Sequence, residues 1–107
     1  MSYEIIVSLK FKKDLKILKK KYKKIDQDLQ NLKKQLLTNP TIGTPLGNNL
    51  YKIRIPNSSV PTGKRGGFRI ITLVKIEKNR IVLLTIYSKA DKEDISDEEL
   101  KEILNSI

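Results

Sequence analysis

The sequence predicts an α+β domain with an N-terminal strand, a two-helix hairpin, a small, mostly antiparallel twisted sheet and a short C-terminal helix. Two runs rich in Ile, Val, Leu and Thr, 66–76 and 80–89, are separated by a short polar turn. Upstream, eight apolar residues recur at alternating steps of four and three between Phe11 and Leu36, the spacing of helices with one buried stripe. Between these regions, 50–55 alternates apolar and basic side chains, as a strand with one buried face does.

The two apolar runs are expected to form an antiparallel hairpin at the centre of the sheet. Their residue types fit a pleated, packed surface, and Glu77-Lys78-Asn79 makes a short polar loop between them. The apolar residues are nearly continuous rather than strictly alternating. This pattern predicts that both faces of the hairpin are covered.

The helical stripe fits either one long helix or a hairpin of two helices. Ser8 is placed to cap the first helix. We favour the hairpin because the flanking lysines would repel an identical partner helix, and a helix longer than about 25 residues is unusual in a small domain. The break is expected near Lys23 to Asp26, with Asp26 capping the second helix, and Asn39-Pro40 ends that helix.

The remaining connections are predicted from turn and cap residues. Residues 41–49 contain Gly, Pro and Asn, which indicates a loop. Residues 56–67 form a basic loop that leads into the central hairpin. Ser96 and Glu99 have the spacing of a capping box for a short amphipathic last helix.

Composition restricts the classes of function. A chain of 107 residues is expected to be one domain, residues 1–107. It contains no Cys and no His, so disulfides and thiolate zinc sites are excluded and the usual general base is missing. We expect a cytoplasmic protein that needs no cofactor and no membrane, because the sequence shows neither a signal peptide nor a long apolar segment.

The charge is strongly basic and unevenly distributed. Lys and Arg number 22 against 12 Asp and Glu, a net charge of +10, which favours a polyanionic partner. Eleven lysines lie between Lys10 and Lys34, and we interpret them as the solvated side of the two helices. Seven acids lie between Asp91 and Glu102, and we interpret them as helix capping and solvation.

A cluster of cations in the sheet is the candidate site. Lys52 and Arg54 share one face of their strand, about 7 Å apart at two residues' rise. Arg69 opens the next strand and Lys89 follows the last one. Clustered cations bind phosphates, and the Arg fork suits a phosphodiester. The loop residues Lys64 and Arg65, together with Lys75 and Lys92, are predicted to contact the same phosphate-bearing partner.

Tyr87 lies two residues before Lys89, and a phenol among cations should have a lowered pKa. Alternatively, Tyr87 is a packing residue with its hydroxyl at the surface. Arg69 also has a structural alternative, in which it pairs with a carboxylate of the acidic tail such as Asp94.

The ordered set of motifs resembles the RelE/ParE toxin superfamily of bacterial type II toxin–antitoxin systems, closest to its RelE- and HigB-like members. The resemblance is strongest at Gly63–Ile71, Leu83–Lys89 and Lys92–Ser96. It also covers the segments Tyr3–Val7, Phe11–Leu18, Asn39–Pro40, Gly43–Gly47 and Leu50–Arg54.

This resemblance implies a RelE-like fold and a metal-independent endoribonuclease that cuts mRNA on translating ribosomes and is silenced by a cognate protein antitoxin. By position, Lys52 and Arg54 match the basic pair of the family's second strand, Arg69 matches the phosphate-contacting Arg, and Lys89 falls near a basic position after the last strand. Some relatives place a Tyr or His near the C-terminus as acid or base, whereas this chain has no Tyr after Tyr87. The catalytic residues implied are Lys52, Arg54, Arg69, Tyr87 and Lys89, with either Lys52 or Tyr87 moving protons. The resemblance also implies that the phosphate-bearing partner predicted for Lys64, Arg65, Lys75 and Lys92 is RNA.

Two other functions compete with RNA cleavage. One is a ParE-like toxin that binds and inhibits DNA gyrase, and the other is a catalytically inactive relative that binds only its antitoxin. The basic sheet residues Lys52, Arg54 and Arg69 favour the ribonuclease, because a gyrase binder has no need of a phosphate-binding sheet face.

Overall fold

A computed structural model describes residues 3–60, 67–92 and 94–105, and its element types are those predicted for an α+β domain. Five strands form one sheet in the order β1-β5-β4-β3-β2, in which β1 is parallel to β5 and the other pairs are antiparallel. The elements are β1 (Glu4–Val7), α1 (Leu9–Lys21), α2 (Ile25–Thr38), β2 (Thr44–Gly47), β3 (Leu50–Ile55), β4 (Phe68–Lys75), β5 (Arg80–Ser88) and α3 (Asp97–Asn105).

The predicted hairpin β4–β5 lies inside the sheet, with β3 on one side and β1 on the other. Its faces are covered by two apolar clusters, as the near-continuous apolar runs indicated. The larger cluster lies under α1 and α2, and the smaller one joins the sheet to α3. The turn between the strands ends at Asn79, whose left-handed conformation (φ 51°) is one that Asn adopts readily.

The helical stripe forms a hairpin rather than one long helix, as predicted. All eight stripe residues belong to the larger apolar cluster or pack against it. Ser8 caps α1 by accepting a hydrogen bond from the main-chain N–H of Phe11 at 3.1 Å. The predicted cap of α2 is wrong: Lys24 occupies the cap position, and Asp26 lies in the first turn, where it forms a 3.0 Å ion pair with Lys19.

Residues 41–49 are not all loop, because Thr44–Gly47 forms an edge strand paired with β3. A proline is tolerated there, since an edge strand needs hydrogen bonds on one side only. The following Asn48 and Asn49 both have positive φ values, 54° and 64°, which is the signature of a tight two-residue hairpin turn. This Asn-Asn pair was the sequence signal for the strand.

The capping box of the last helix is confirmed. The main-chain N–H of Glu99 donates to the Ser96 hydroxyl at 3.1 Å, and the Glu99 carboxylate accepts in return from the N–H of Ser96 at 3.4 Å. This cap fixes the start of α3 and therefore the end of the acidic segment that precedes it. Within the described ranges, no helix has the length and hydropathy that crossing a bilayer requires.

Candidate active site

Strand register places three predicted site residues in a row across the sheet. Arg54 on β3 lies opposite Arg69 on β4, and Arg69 lies opposite Tyr87 on β5. Residues directly opposite in antiparallel strands share a face, and Lys52, two residues before Arg54, shares it too. This face also carries Leu50 and Ile71, which belong to the small apolar cluster against α3.

The row opens into a cleft of about 600 Å³ at the edge of that cluster. The acidic segment before α3 forms its other wall through Asp94, Ile95 and Ser96. All five residues predicted to be catalytic line this cleft: Lys52, Arg54, Arg69, Tyr87 and Lys89.

Arg69 is a buried cation, only 5% exposed. Its Nη1 donates to the main-chain oxygen of Phe68 at 3.3 Å. Within residues 3–60, 67–92 and 94–105 it forms no ion pair, so the structural alternative in which it pairs with Asp94 is wrong. Burial and the neighbouring Arg54 lower the pKa of the Arg69 guanidinium from its ordinary value. A charge held this way is costly in the absence of an anionic ligand.

Gly67 lets the Arg69 strand approach β3 closely. A Cβ atom at this position would lie 2.4 Å from the main-chain oxygen of Ile55 and 3.3 Å from Nη1 of Arg69. The first distance is shorter than real contacts allow, so any side chain at Gly67 would displace backbone. Only a glycine therefore fits at this position, which leaves room for the Arg69 guanidinium beside the start of β4.

Asp94 lines the cleft, although the sequence predicted for it only capping and solvation or, alternatively, an ion pair with Arg69. Its Oδ1 accepts from Lys52 Nζ at 3.3 Å, from the Tyr87 hydroxyl at 3.2 Å and from the main-chain N–H of Ile95 at 2.8 Å. The Ile95 N–H and the Lys52 ammonium hold the pKa of Asp94 below its ordinary value. The sequence held one sign of this contact. Asp94 follows Tyr87 by seven residues, a separation over which the chain can fold back so that the carboxylate meets the end of the strand.

The predicted lowering of the Tyr87 pKa is wrong in direction. Tyr87 is 7% exposed, and burial, followed by the charge and hydrogen bond of Asp94, raises its pKa to about 12. Arg69 acts in the opposite direction but is outweighed. The phenol is therefore neutral near pH 7, in a form that donates a proton rather than accepts one.

The other predicted cations are distributed unequally. Lys89 is exposed, and its main-chain N–H donates to the oxygen of Gly67 at 3.1 Å, which places it beside the start of β4. Lys92 forms an ion pair with Glu99 and lies 5.5 Å from the centre of the Tyr87 ring. Both therefore lie at the rim of the cleft.

Lys75 does not belong to the cluster. It lies opposite Arg80 at the far end of β4, about 20 Å from Arg69 at six residues' rise. Its assignment to the same RNA surface is therefore not supported by the register. Lys64 and Arg65 lie outside the described residues.

Comparison with known proteins accords with this fold. The structure is similar to that of a mutant of the E. coli toxin RelE in the free state, with a TM-score of 0.63, 19% sequence identity, and coverage of 100% of this chain and 99% of that chain. The family model of the RelE toxin of the RelE/RelB toxin–antitoxin system matches residues 9–106, nearly the whole chain. Such a match implies an antitoxin partner, and it shows that the chain belongs to the RelE toxin family of toxin–antitoxin systems.

Proposed function

We propose that the protein is a ribosome-dependent endoribonuclease that arrests translation by cutting mRNA. One observation carries the proposal: Arg54 and the buried Arg69 lie side by side, and the described residues supply neither with an ion-pair partner. A pair of unneutralised guanidiniums in a cleft fits a bidentate, doubly contacted phosphodiester. A ParE-like toxin that only binds gyrase has no need of this buried charge.

The proposed reaction is an attack of the RNA 2′-hydroxyl on the adjacent phosphorus. The P–O bond to the 5′-oxygen breaks, which leaves a 2′,3′-cyclic phosphate on one fragment and a 5′-hydroxyl on the other. Charge builds up on the phosphate oxygens in the transition state, and preorganised donors stabilise it there. Arg69 and Arg54 take this role, and Lys89 assists from the rim.

Two proton transfers complete the reaction. The departing 5′-oxygen is a strong base and needs a proton. Tyr87, with its pKa of about 12, is the neutral hydroxyl beside Arg69 that supplies this proton. The proton of the 2′-hydroxyl goes to Lys52 in its neutral amine form, so this step requires that the ammonium seen beside Asp94 has first released a proton to water. The mechanism assigns no step to a metal ion or a cofactor.

Expression of the protein in bacteria without its antitoxin distinguishes this function from gyrase inhibition. We expect growth to stop together with incorporation of labelled amino acids, while plasmid supercoiling by gyrase continues. The Arg69→Ala variant should restore protein synthesis. Growth arrest with continuing protein synthesis and loss of supercoiling would contradict the proposal, as would arrest that Arg69→Ala leaves unchanged.

A further inference from the structure

The Asp94 carboxylate marks a position for an anionic oxygen inside the cleft. Three donors converge on Oδ1: Lys52 Nζ at 3.3 Å, the Tyr87 hydroxyl at 3.2 Å and the Ile95 N–H at 2.8 Å. Two of these donors, Lys52 and Tyr87, are the groups to which the proposed reaction assigns proton transfer. As long as Asp94 holds them, neither is free to reach a ribose or a leaving oxygen.

We propose that Asp94 is an intramolecular competitor of RNA, whose carboxylate occupies the position of a phosphate oxygen in the free protein and is displaced when RNA binds. This inference rests on the proposed function. A non-bridging phosphodiester oxygen is an anionic acceptor of the same kind as a carboxylate oxygen. The phosphodiester can in addition bind Arg54 and Arg69 on the same sheet face. Asp94 forms its ion pair with Lys52 and with neither of these arginines.

The segment that carries Asp94 is anchored independently of its side chain. On one side, the main-chain N–H groups of Asp91 and Lys92 both donate to the oxygen of Ser88 at 3.0 Å. On the other side, the capping box between Ser96 and Glu99 holds the start of α3. Displacement therefore requires only rotation of the Asp94 side chain, and the wall of the cleft stays in place.

The cost of this rotation is small. The Asp94 side chain is 60% exposed, so the released carboxylate is hydrated by water. The ion pair with Lys52, whose side chain is 23% exposed, is open to solvent on the Asp94 side, and ion pairs in contact with water contribute little to stability. A phosphate held by two additional guanidiniums therefore outcompetes the carboxylate. Asp94 therefore lowers the affinity for anions that contact a single cation of the cleft more than it lowers the affinity for RNA, which contacts all of them.

The test compares Asp94→Asn with Asp91→Asn. Asp91 lies on the same acidic segment but pairs with Lys21 at 3.0 Å, away from the cleft. Each variant loses one negative charge, so the two have the same net charge and differ only in where the charge is removed. The probe is a short fluorescein-labelled RNA with 2′-O-methyl riboses, which binds but cannot be cut, and its dissociation constant is measured by fluorescence anisotropy. We expect Asp94→Asn to bind roughly 1.5- to fivefold more tightly than wild type, the range for an exposed ion pair. Asp91→Asn should change the affinity much less.

Equal affinities of the two variants, or weaker binding by Asp94→Asn, would overturn the inference. A second variant, Asp94→Ser, keeps an acceptor for the Ile95 N–H and serves if Asp94→Asn does not fold. If both variants unfold, the carboxylate is structural and the inference is wrong.

Cleavage is measured separately on unmodified mRNA bound to ribosomes. Asp91→Asn should keep the wild-type bound-state rate, whereas a fall of about a hundredfold or more in Asp94→Asn alone would make Asp94 a proton acceptor and overturn its role as a competitor. Because the methylated probe cannot be cut, the binding result stands by itself. Absence of cleavage by every variant would contradict the proposed function, while the difference in affinity would still decide the role of Asp94.

Discussion

Arg54 and Arg69 are direct cross-strand neighbours on β3 and β4, so two like charges lie side by side on one sheet face. Like charges directly opposite each other in a sheet are destabilising. Arg69 is in addition buried, and its guanidinium pKa is lowered by that burial and by Arg54. Such strain at one place in an otherwise well-packed sheet is typical of a functional site that gives up stability for binding.

The first prediction is that Arg69→Met does not destabilise the fold. Methionine replaces the buried stem of the side chain and removes the repulsion from Arg54. The free energy of unfolding in urea should stay equal to that of wild type or rise by up to about 1 kcal/mol. A loss of more than about 2 kcal/mol would mean that the guanidinium has a structural role, because breaking a needed buried contact has that size.

The second prediction concerns the titration of tyrosine. The chain has four tyrosines, and absorbance at alkaline pH should show one that ionises near 12 and disappears in Tyr87→Phe. Asp94→Asn should lower this pKa, because it removes a negative charge and a charged acceptor from the phenol. A Tyr87 that ionises at or below its ordinary value of about 10 would contradict the described environment.

The same shift predicts how stability depends on alkaline pH. The folded-state pKa of Tyr87 is raised, so the folded protein retains a proton that the unfolded chain releases between about pH 10 and 12. The Tyr87 contribution is fully present below pH 10 and is lost as the pH rises towards 12. In urea denaturation over this range, wild type should lose stability more steeply than Tyr87→Phe, and equal slopes would contradict the assignment.

The third prediction concerns the antitoxin that family membership implies. With a net charge of +10, we expect the antitoxin to carry an acidic or amphipathic segment that covers the basic cleft or docks on the helical hairpin. Stopped-flow association should therefore slow by at least about tenfold between low and high salt. A rate that is independent of salt would indicate a purely apolar interface.

The fourth prediction is that cleavage survives an excess of EDTA in assays in which the ribosomes stay intact or a free RNA is cut. The chain has no His or Cys, and over the described ranges no three of the residues His, Cys, Asp and Glu come together as possible metal ligands. The rate should be the same with and without the chelator. Loss of cleavage that one specific divalent ion restores would contradict the proposed mechanism.

Local patterns were sufficient to predict most of the fold. The period of the apolar residues fixed the helical stripe and the central hairpin, and cap residues such as Ser8 and Ser96 marked two helix starts. The edge strand β2 was missed because its sequence has the composition of a loop. Its stability comes from pairing with β3, which is a tertiary contact that local propensity does not contain.

The candidate site was predictable where it depends on strand register. Lys52 and Arg54 share a face because side chains alternate along a strand, and Arg69 follows from the neighbouring strand. Lys75 was predicted to belong to the same surface because it lies on the same strand as Arg69, but the two residues are at opposite ends of β4, about 20 Å apart.

The role of Asp94 was not predictable from local pattern. Its position depends on how the chain folds back after β5, through hydrogen bonds to Ser88 and the cap of α3. The pKa of Tyr87 was mispredicted for the same reason, because it depends on the hydrogen bond between the Tyr87 hydroxyl and Asp94. Nearby cations in the sequence suggested a lowered value, whereas burial and the Asp94 carboxylate raise it to about 12.

The most direct test is the single-turnover rate of mRNA cleavage on purified ribosomes, compared between wild type and Arg69→Ala. Arg80→Ala is the matched control, because Arg80 lies at the far end of the sheet in an exposed pair with Glu4. We predict that wild type and Arg80→Ala cut at similar rates, while Arg69→Ala melts normally and cuts about 10²–10³ times more slowly, the loss expected for one preorganised stabiliser of charge. Cleavage by a normally folded Arg69→Ala at the wild-type rate would contradict the account.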